Sequence, residues 1–317
     1  AYYSNFHLFF YFFIYSKFMY SSQISFVLPA KNEESSIEKI LDQINEFSIK
    51  VDNKLSNIIV ASDSSDKTNE ICKKYENVSV VDCKNIGLGY AMYLGLKKAA
   101  ALNTKYICSI DSDGQVDPNE IELFYNEALK NEHHLILGSR FLKKDLIKYD
   151  YKFLNNFGTK LLRFMINYKT KLSITDSHGG IRIMQADIAK KLKIIGDHTY
   201  VQETIIDAVE NGYKVKEIES KWLKREFGDS KVVRSKIKYI FNVFPVLFIR
   251  CNLHKIIFYP LSILSFMMSF ISLIFIQSEP FYLLPFLFLI FSFILVFFGY
   301  NLDQYKNIVI YLREINN

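Results

Sequence analysis

Between Ile256 and Tyr300 the chain has no lysine and no arginine, and Glu279 is its single carboxylate. Nearly all charge lies instead between Lys31 and Lys238, in a chain of 317 residues that is 50% hydrophobic with 28 Phe and 21 Tyr. So uneven a distribution excludes a purely soluble protein and predicts a charged domain followed by a membrane domain. Cysteine is scarce. Cys72, Cys83, Cys108 and Cys251 show no metal-ligand spacing, and three sit in or beside apolar runs, as reduced core residues of a cytosol-facing domain do. No G-x-G-x-x-G follows the first apolar strand, which argues against a dinucleotide-binding dehydrogenase. The aromatic run Phe6–Tyr15 has about half the roughly 20 residues that a spanning helix needs. It also lacks a basic leader and a small-residue cleavage site, which is not the pattern expected of a signal peptide. Residues 1–21 are expected to be an N-terminal extension, either interfacial or foreign to the native chain.

What is present from residue 22 onward is an alternation of apolar runs and helical patterns. Strands are predicted at Ile24–Pro29, Leu55–Ala61, Val78–Val81 and Tyr106–Ile110. Helical spacing follows the first (Ile37, Ile40, Leu41, Ile44), the second (through Tyr75) and the third (from Gly89 through Ala101). This alternation predicts an α/β fold, an open and mostly parallel sheet with helices on both faces. Ligands of such sheets bind beyond the carboxyl ends of the strands, where Asn32, Asp63, Gly87 and Asp111 all fall.

The richest loop follows the fourth strand, Asp111-Ser-Asp-Gly-Gln115. Two carboxylates one residue apart can share one hard cation whose other positions go to water and phosphate oxygens. An Asx-rich turn with solvated acids has the same composition. Around the same crevice Gly87 and Gly89 allow close backbone approach beside a helix N-terminus, a place that favours anions.

Seven ordered segments carry a family resemblance. Leu28-Pro-Ala-Lys-Asn-Glu-Glu34, Asp63-Ser-Ser-Asp-Lys-Thr68, Asn85-Ile-Gly-Leu-Gly-Tyr-Ala91 and Asp111-Ser-Asp-Gly-Gln115 resemble the nucleotide-sugar half of inverting GT-A glycosyltransferases of family 2. Gly138-Ser-Arg140, Asp176-Ser-His-Gly-Gly-Ile-Arg182 and Arg225-Glu-Phe-Gly-Asp-Ser-Lys231 narrow it to the polyprenyl-phosphate branch, the dolichyl-phosphate mannose synthase and undecaprenyl-phosphate glucosyltransferase type. The resemblance implies a metal-dependent, inverting transfer of a hexose from a GDP- or UDP-sugar to a polyprenyl phosphate. By it, Asp111, Asp113 and Gln115 would ligate Mg2+ or Mn2+. Pro29, Ala30, Asn32, Glu33, Asp63, Gly87, Ser112, Arg225 and Lys231 would line the nucleotide-sugar site, and Arg140, Ser230 and Lys152 would meet the acceptor phosphate. Asp113, Arg140 and Asp176 are the expected catalytic set, Asp176 on the acceptor side.

There are departures from the family pattern. The Asp63–Thr68 segment is one residue shorter than the commonest spacing, which leaves Asp66 without an assigned contact. Leu88 stands where a basic residue is frequent, and Lys152, Asn155 and Asn156 replace the Arg and Ser that often touch acceptor phosphate. The Gln-x-x-Arg-Trp signature of processive polysaccharide synthases is absent, which disfavours polymerisation. Other readings are a glycosyltransferase acting on another membrane lipid such as diacylglycerol, and a non-catalytic membrane scaffold.

The expected domains are a catalytic domain at 22–230, interfacial amphipathic helices at 231–253, two transmembrane helices within 254–301 and a cytoplasmic tail at 302–317. Basic residues precede the first span and follow the second, at Lys306 and Arg313, whereas the link Gln277–Pro280 has none. Both ends and the catalytic domain are therefore expected on the cytoplasmic side of the cell membrane. The basic stretch Lys214–Lys238 suits anionic lipid headgroups, and no nucleic-acid partner is expected. A homo-oligomer is compatible with the sequence.

Overall fold

The computed structural model describes residues 23–147, 153–224, 236–275 and 281–315. Seven strands form one sheet: β1 Ile24–Ala30, β2 Ile58–Ser62, β3 Val78–Asp82, β4 Tyr106–Ile110, β5 Leu135–Ser139, β6 Ile181–Gln185 and β7 Val215–Glu219. Their order across the sheet is β3-β2-β1-β4-β6-β5-β7. β1 pairs in parallel with β2 and β4, β2 with β3 and β5 with β7, while β6 is antiparallel to both β4 and β5. Six strands thus share one direction and β6 alone is reversed, so the expected mostly parallel sheet is a mixed one of GT-A type.

The central strands are apolar at nearly every position because both faces are covered. Val27, Ile59 and Ile107 pack with Met92, Tyr93 and Leu96 of α3 (Leu88–Ala101; α1 is Ile37–Asp52 and α2 Thr68–Cys72). Phe26, Leu28, Ile58, Val60 and Cys108 face the other way, onto Ile37, Leu41 and Ile44 of α1 and Phe124 of α4 (Ile121–Leu129). Alternation along each strand therefore feeds two cores, one per face. The remaining helices of this part are α5 Phe153–Thr170, α6 Ala186–Lys190 and α7 Val201–Glu210.

After β7 come three helices rich in apolar residues: α8 Lys236–Arg250, α9 Leu253–Ser272 and α10 Leu284–Ile315. With 20 and 32 residues, α9 and α10 are long enough to cross a bilayer of roughly 30 Å. Their mutual face is polar and small. Ser262 Oγ lies 3.2 Å from Ser292 Oγ, Ser265 donates to the Phe288 carbonyl (2.8 Å) and Ser269 to the Pro285 carbonyl (2.7 Å). Gly299 admits the ring of Tyr259. Small residues and interhelical hydrogen bonds hold helices together where the hydrophobic effect cannot. The outer faces carry exposed Ile263, Phe266, Phe270, Phe293 and Phe297. The link Gln277–Pro280 lies outside the described residues, and the expected tail at 302–317 is helical as far as Ile315.

Arg250, the last residue of α8, is fastened to the sheet domain. Its guanidinium donates to Asp207 of α7 and stands 3.6 Å from the carboxylate of Glu203, all three being buried. Glu203 also accepts from the backbone N–H of Ile195 (2.8 Å) and Gly196 (2.9 Å). Burial pushes its carboxyl up from 4.5 to about 7, against the pull of Arg250 and those two donors. The folded protein therefore keeps a proton on Glu203 that the unfolded chain releases, and this contribution is complete below about pH 4.5 and lost as pH rises through about 7. In detergent, the stability of the wild type should fall relative to Glu203→Gln as pH rises across that window. Parallel pH dependences of the two melting temperatures would refute the assignment.

Candidate active site

The co-directional strands all end on one edge of the sheet, and their loops are laced to one another there. Asn32, just past β1, takes a left-handed conformation (φ 57°), which asparagine tolerates. Its side-chain oxygen accepts from Ser65 N–H (2.7 Å), and its own N–H donates to Ser64 Oγ (2.9 Å). Glu33 N–H donates to Thr68 Oγ1 (2.8 Å) and Glu34 N–H to Asp66 (3.2 Å). Asp66, which the sequence left unassigned, also accepts from Thr68 N–H and hydroxyl. Burial works to raise its pKa, but these donors hold it below the usual carboxylate range. Asp63 accepts from Asn85 N–H (2.8 Å), tying the β2 loop to the β3 loop. Glu33 is buried, its carbonyl accepting from the N–H groups of Ser36 and Ile37, so it builds the turn under the crevice.

Gly87 and Gly89 lie against the chain's own backbone. A Cβ on Gly87 would stand 2.3 Å from the Asp197 carbonyl oxygen, and one on Gly89 2.2 Å from that of Gly196. Gly89 N–H donates to the Asp197 carbonyl (2.7 Å). Their close backbone approach is used by the segment 194–199 of the same chain, which forms a wall beside the N-terminus of α3.

Asp111 leaves β4 at the centre of this edge, its N–H donating to Gly180 O (3.2 Å). A Cβ on Gly180 would lie 2.7 Å from Asp111 Oδ2, so glycine there keeps room for the carboxylate. Ser112 is buried, with its hydroxyl donating to the Pro29 carbonyl and its carbonyl accepting from Ser36 Oγ (2.7 Å). Pro29 and Ala30 are thereby fixed beside the acid loop. Asp113 Oδ1 accepts from Gln115 N–H (3.1 Å), around Gly114 at φ 75°. The Gln115 amide, set so that both ends are satisfied, accepts from Trp222 Nε1 (3.2 Å) and donates to Asp113 Oδ2 (3.3 Å). Asp111 and Asp113 suit a hard divalent cation: two carboxylates at a strand end, with space kept open by Gly180. No group of three or more His, Cys, Asp or Glu stands together among the described residues, so the rest of a coordination shell would come from ligand oxygens and water.

Arg140 and Asp176, separate candidates in the sequence, form one buried unit. Arg140 Nε donates to Asp176 Oδ2 (2.6 Å) and Nη2 to Oδ1 (2.8 Å), and Arg140 N–H adds a third bond (3.2 Å). Burial alone would raise the Asp176 pKa, but Arg140 holds it below the usual range. Glu217 of β7 fixes the approach by accepting from the N–H groups of Thr175 (2.6 Å) and Asp176 (2.7 Å). The guanidinium also lies over the Trp222 ring, 3.8 Å from its centre. One edge of the fork is therefore committed to Asp176 rather than turned outward to a phosphate. Burial pushes the pKa of the neighbouring His178 down to about 4, keeping it neutral.

Four contributors escaped the sequence reading. Trp222 straps the acid loop and stacks on Arg140, Ser36 braces Ser112, and Glu217 sets Asp176. Arg182, in the reversed strand opposite Ser109, is a buried cation donating to the Gly179 (2.9 Å) and Val201 (3.2 Å) carbonyls. A fixed positive charge there lies near Asp111. Only the motif around Arg182 offered a signal. Lys152, Arg225, Ser230 and Lys231 lie outside the described residues.

The profile of Glycosyl transferase family 2 matches residues 25–193, the span that holds β1 to β6 and the acid loop. The chain belongs to this family. As a glycosyltransferase it is 33% identical to an uncharacterized protein of Methanocaldococcus jannaschii, over 66% of this chain and 85% of that one. It is 25% identical to dodecaprenyl-phosphate galacturonate synthase of Rhizobium johnstonii, over 72% of this chain and 67% of the relative. Other relatives are named as dolichyl-phosphate sugar transferases. Among solved structures, glucosyl-3-phosphoglycerate synthase of Mycobacterium tuberculosis, in complex with Mn2+, UDP and phosphoglyceric acid, superposes with a TM-score of 0.56 at 18% identity. That match covers 74% of this chain and 80% of the other, and establishes the GT-A fold.

The buried pair makes its own prediction. Asp176→Ala would leave the Arg140 guanidinium buried without its carboxylate, and breaking such a pair costs about 3–5 kcal/mol. Denaturant unfolding in detergent measures it, and a loss below about 1 kcal/mol would mean that the pair opens readily to water.

Proposed function

We propose that this glycosyltransferase moves a hexose from a GDP- or UDP-sugar to a polyprenyl phosphate, with inversion, at the cytoplasmic face of the membrane. The observation that carries the proposal is the acid loop at the strand ends, on a chain whose relatives bear polyprenyl-phosphate names. It is supported by the membrane-length hairpin behind it. Arg250 before α9 and Arg313 near the end of α10 both bond to the catalytic domain, which supports a hairpin that enters and leaves on one side.

A phosphate monoester is anionic near neutral pH, so its oxygen attacks the anomeric carbon without a strong general base. The new C–O bond forms as the bond from that carbon to the β-phosphate oxygen breaks, and the nucleoside diphosphate departs with the electron pair. Positioning and electrostatics are then the main catalytic terms. A bound Mg2+ or Mn2+ would supply Lewis-acid neutralisation of the diphosphate. Asp111 and Asp113 would hold it, and the Gln115 amide would steady Asp113 or join the shell. Pro29, Ala30, Asn32, Glu33, Asp63 and Ser112 would shape the base and ribose site. Arg225 and Lys231 would meet the donor phosphates, with Lys152 and Ser230 on the acceptor phosphate. Asp176 would act on the acceptor side by orienting Arg140.

Membranes carrying the protein should form an acid-labile lipid product from one donor in a panel of radiolabelled GDP- and UDP-sugars, and EDTA should abolish it. Asp113→Ala should fold yet lose transfer by several orders of magnitude, on the order of 10³-fold or more. An acid-stable product would point to a hydroxyl acceptor such as diacylglycerol. Near-normal turnover of Asp113→Ala would overturn the metal assignment.

A further inference from the structure

The last helix does more than return the chain from the membrane. About 20 residues of α10 suffice to cross, which leaves roughly three further turns reaching toward the catalytic domain. In the final turn Arg313 is buried, although it stands two positions from the end of the described chain. Its Nη1 donates to the Ile194 carbonyl (2.7 Å), and its Nη2 to the Ile195 carbonyl (3.1 Å) and to Asp197. The guanidinium also faces the rings of Tyr90 and Tyr93 in the first turns of α3, 5.5 and 5.8 Å from their centres.

Those partners form the two sides of one seam. The segment 194–199 lies against Gly87 and Gly89, where Gly89 N–H bonds the Asp197 carbonyl, and His198 Nδ1 would stand 3.0 Å from a Cβ on Gly87. Glu203 holds the same segment from behind through the N–H groups of Ile195 and Gly196, and Asp207 holds Lys193 N–H (2.7 Å). Glu203 and Asp207 are in turn the partners of Arg250, at the entrance to α9. Both cytoplasm-proximal ends of the hairpin thus converge on one stretch of about seven residues. Arg313 is the only one of these groups that touches both the stretch and α3.

We propose that Arg313 is a positioning residue for the crevice: it pins segment 194–199 against the N-terminus of α3, so that the exit end of the membrane hairpin sets the wall beside Gly87–Gly89. Its three hydrogen bonds are charge-assisted, the strong kind, and a buried guanidinium fits two carbonyls and a carboxylate where a lysine could not. Hydrogen exchange, read by mass spectrometry on the full chain in lipid nanodiscs without substrate, tests this directly. In Arg313→Gln, amides at 87–91 and 193–199 should exchange about tenfold faster, the size expected when a charge-assisted bond is lost, while β1 and β4 keep their protection. Arg313→Lys should restore part of the difference. Asp197→Ala, a milder change at an exposed residue, should give a smaller increase in the same peptides, and it carries the test alone if Arg313→Gln does not fold. With the active enzyme, the KM for the nucleotide sugar should rise severalfold while kcat holds. This last arm rests on the proposed donor site, whereas the exchange arm does not. Unchanged exchange at 87–91, in variants whose strands stay protected, would overturn the proposal. A raised exchange there with an unchanged donor KM would uphold the pinning and count against the donor site proposed beside that wall.

Discussion

The side chains of Arg140 and Asp176 share two hydrogen bonds out of reach of bulk water, and neither charge would be tolerable there alone. Much of this side of the crevice is arranged around keeping that pair intact. Glu217 reaches from β7 to fix the backbone of Asp176, and Trp222 closes over the guanidinium while its indole N–H meets Gln115. The same tryptophan therefore links the pair to the acid loop. The two halves of the crevice, acid loop and Arg–Asp pair, are braced by one aromatic side chain rather than by the sheet alone.

A second constraint comes from the membrane region. Its helices bury serines and a glycine against each other and present bulky apolar residues outward, the reverse of a soluble helix pair. Polar partners reappear at the ends, where Arg250 meets Asp207 and Lys255 pairs with Asp303 (2.8 Å). The hairpin thus has a charge-free interior between charged ends.

The fold was largely legible because its signals are local. Four parallel strands and their helices were visible as apolar runs and helical spacing, and β1 and β4 fell within a residue of their predicted bounds. Asp111, Asp113 and Gln115 were legible as one short loop, and the structure sets that loop at the strand ends. What escaped was long-range. The bidentate pairing of Arg140 with Asp176 joins residues 36 positions apart, and Trp222 reaches the acid loop from over 100 positions away, as Leu223 N–H does in bonding Gln115 O. Nothing in spacing or composition marks such contacts. Gly87 and Gly89 were noticed for their freedom from a side chain, and the structure brings the chain's own segment 194–199 against them, a contact that no spacing marked. The reversed strand was also invisible, because strand direction leaves no trace in hydrophobic pattern.

That reversed strand has a consequence for biosynthesis. β4 is bordered on one side by β1, complete long before it, but on the other by β6, whose residues Ile181–Gln185 are made some 70 residues later. While the intervening chain is being made, β4 is an edge strand with unpaired backbone groups and a run of apolar side chains, the state most open to mispairing. The acid at its tip and the serine after it are the first features to blunt that edge. All seven strands precede the two long apolar helices in the chain, so the sheet can close around β4 before those helices are made.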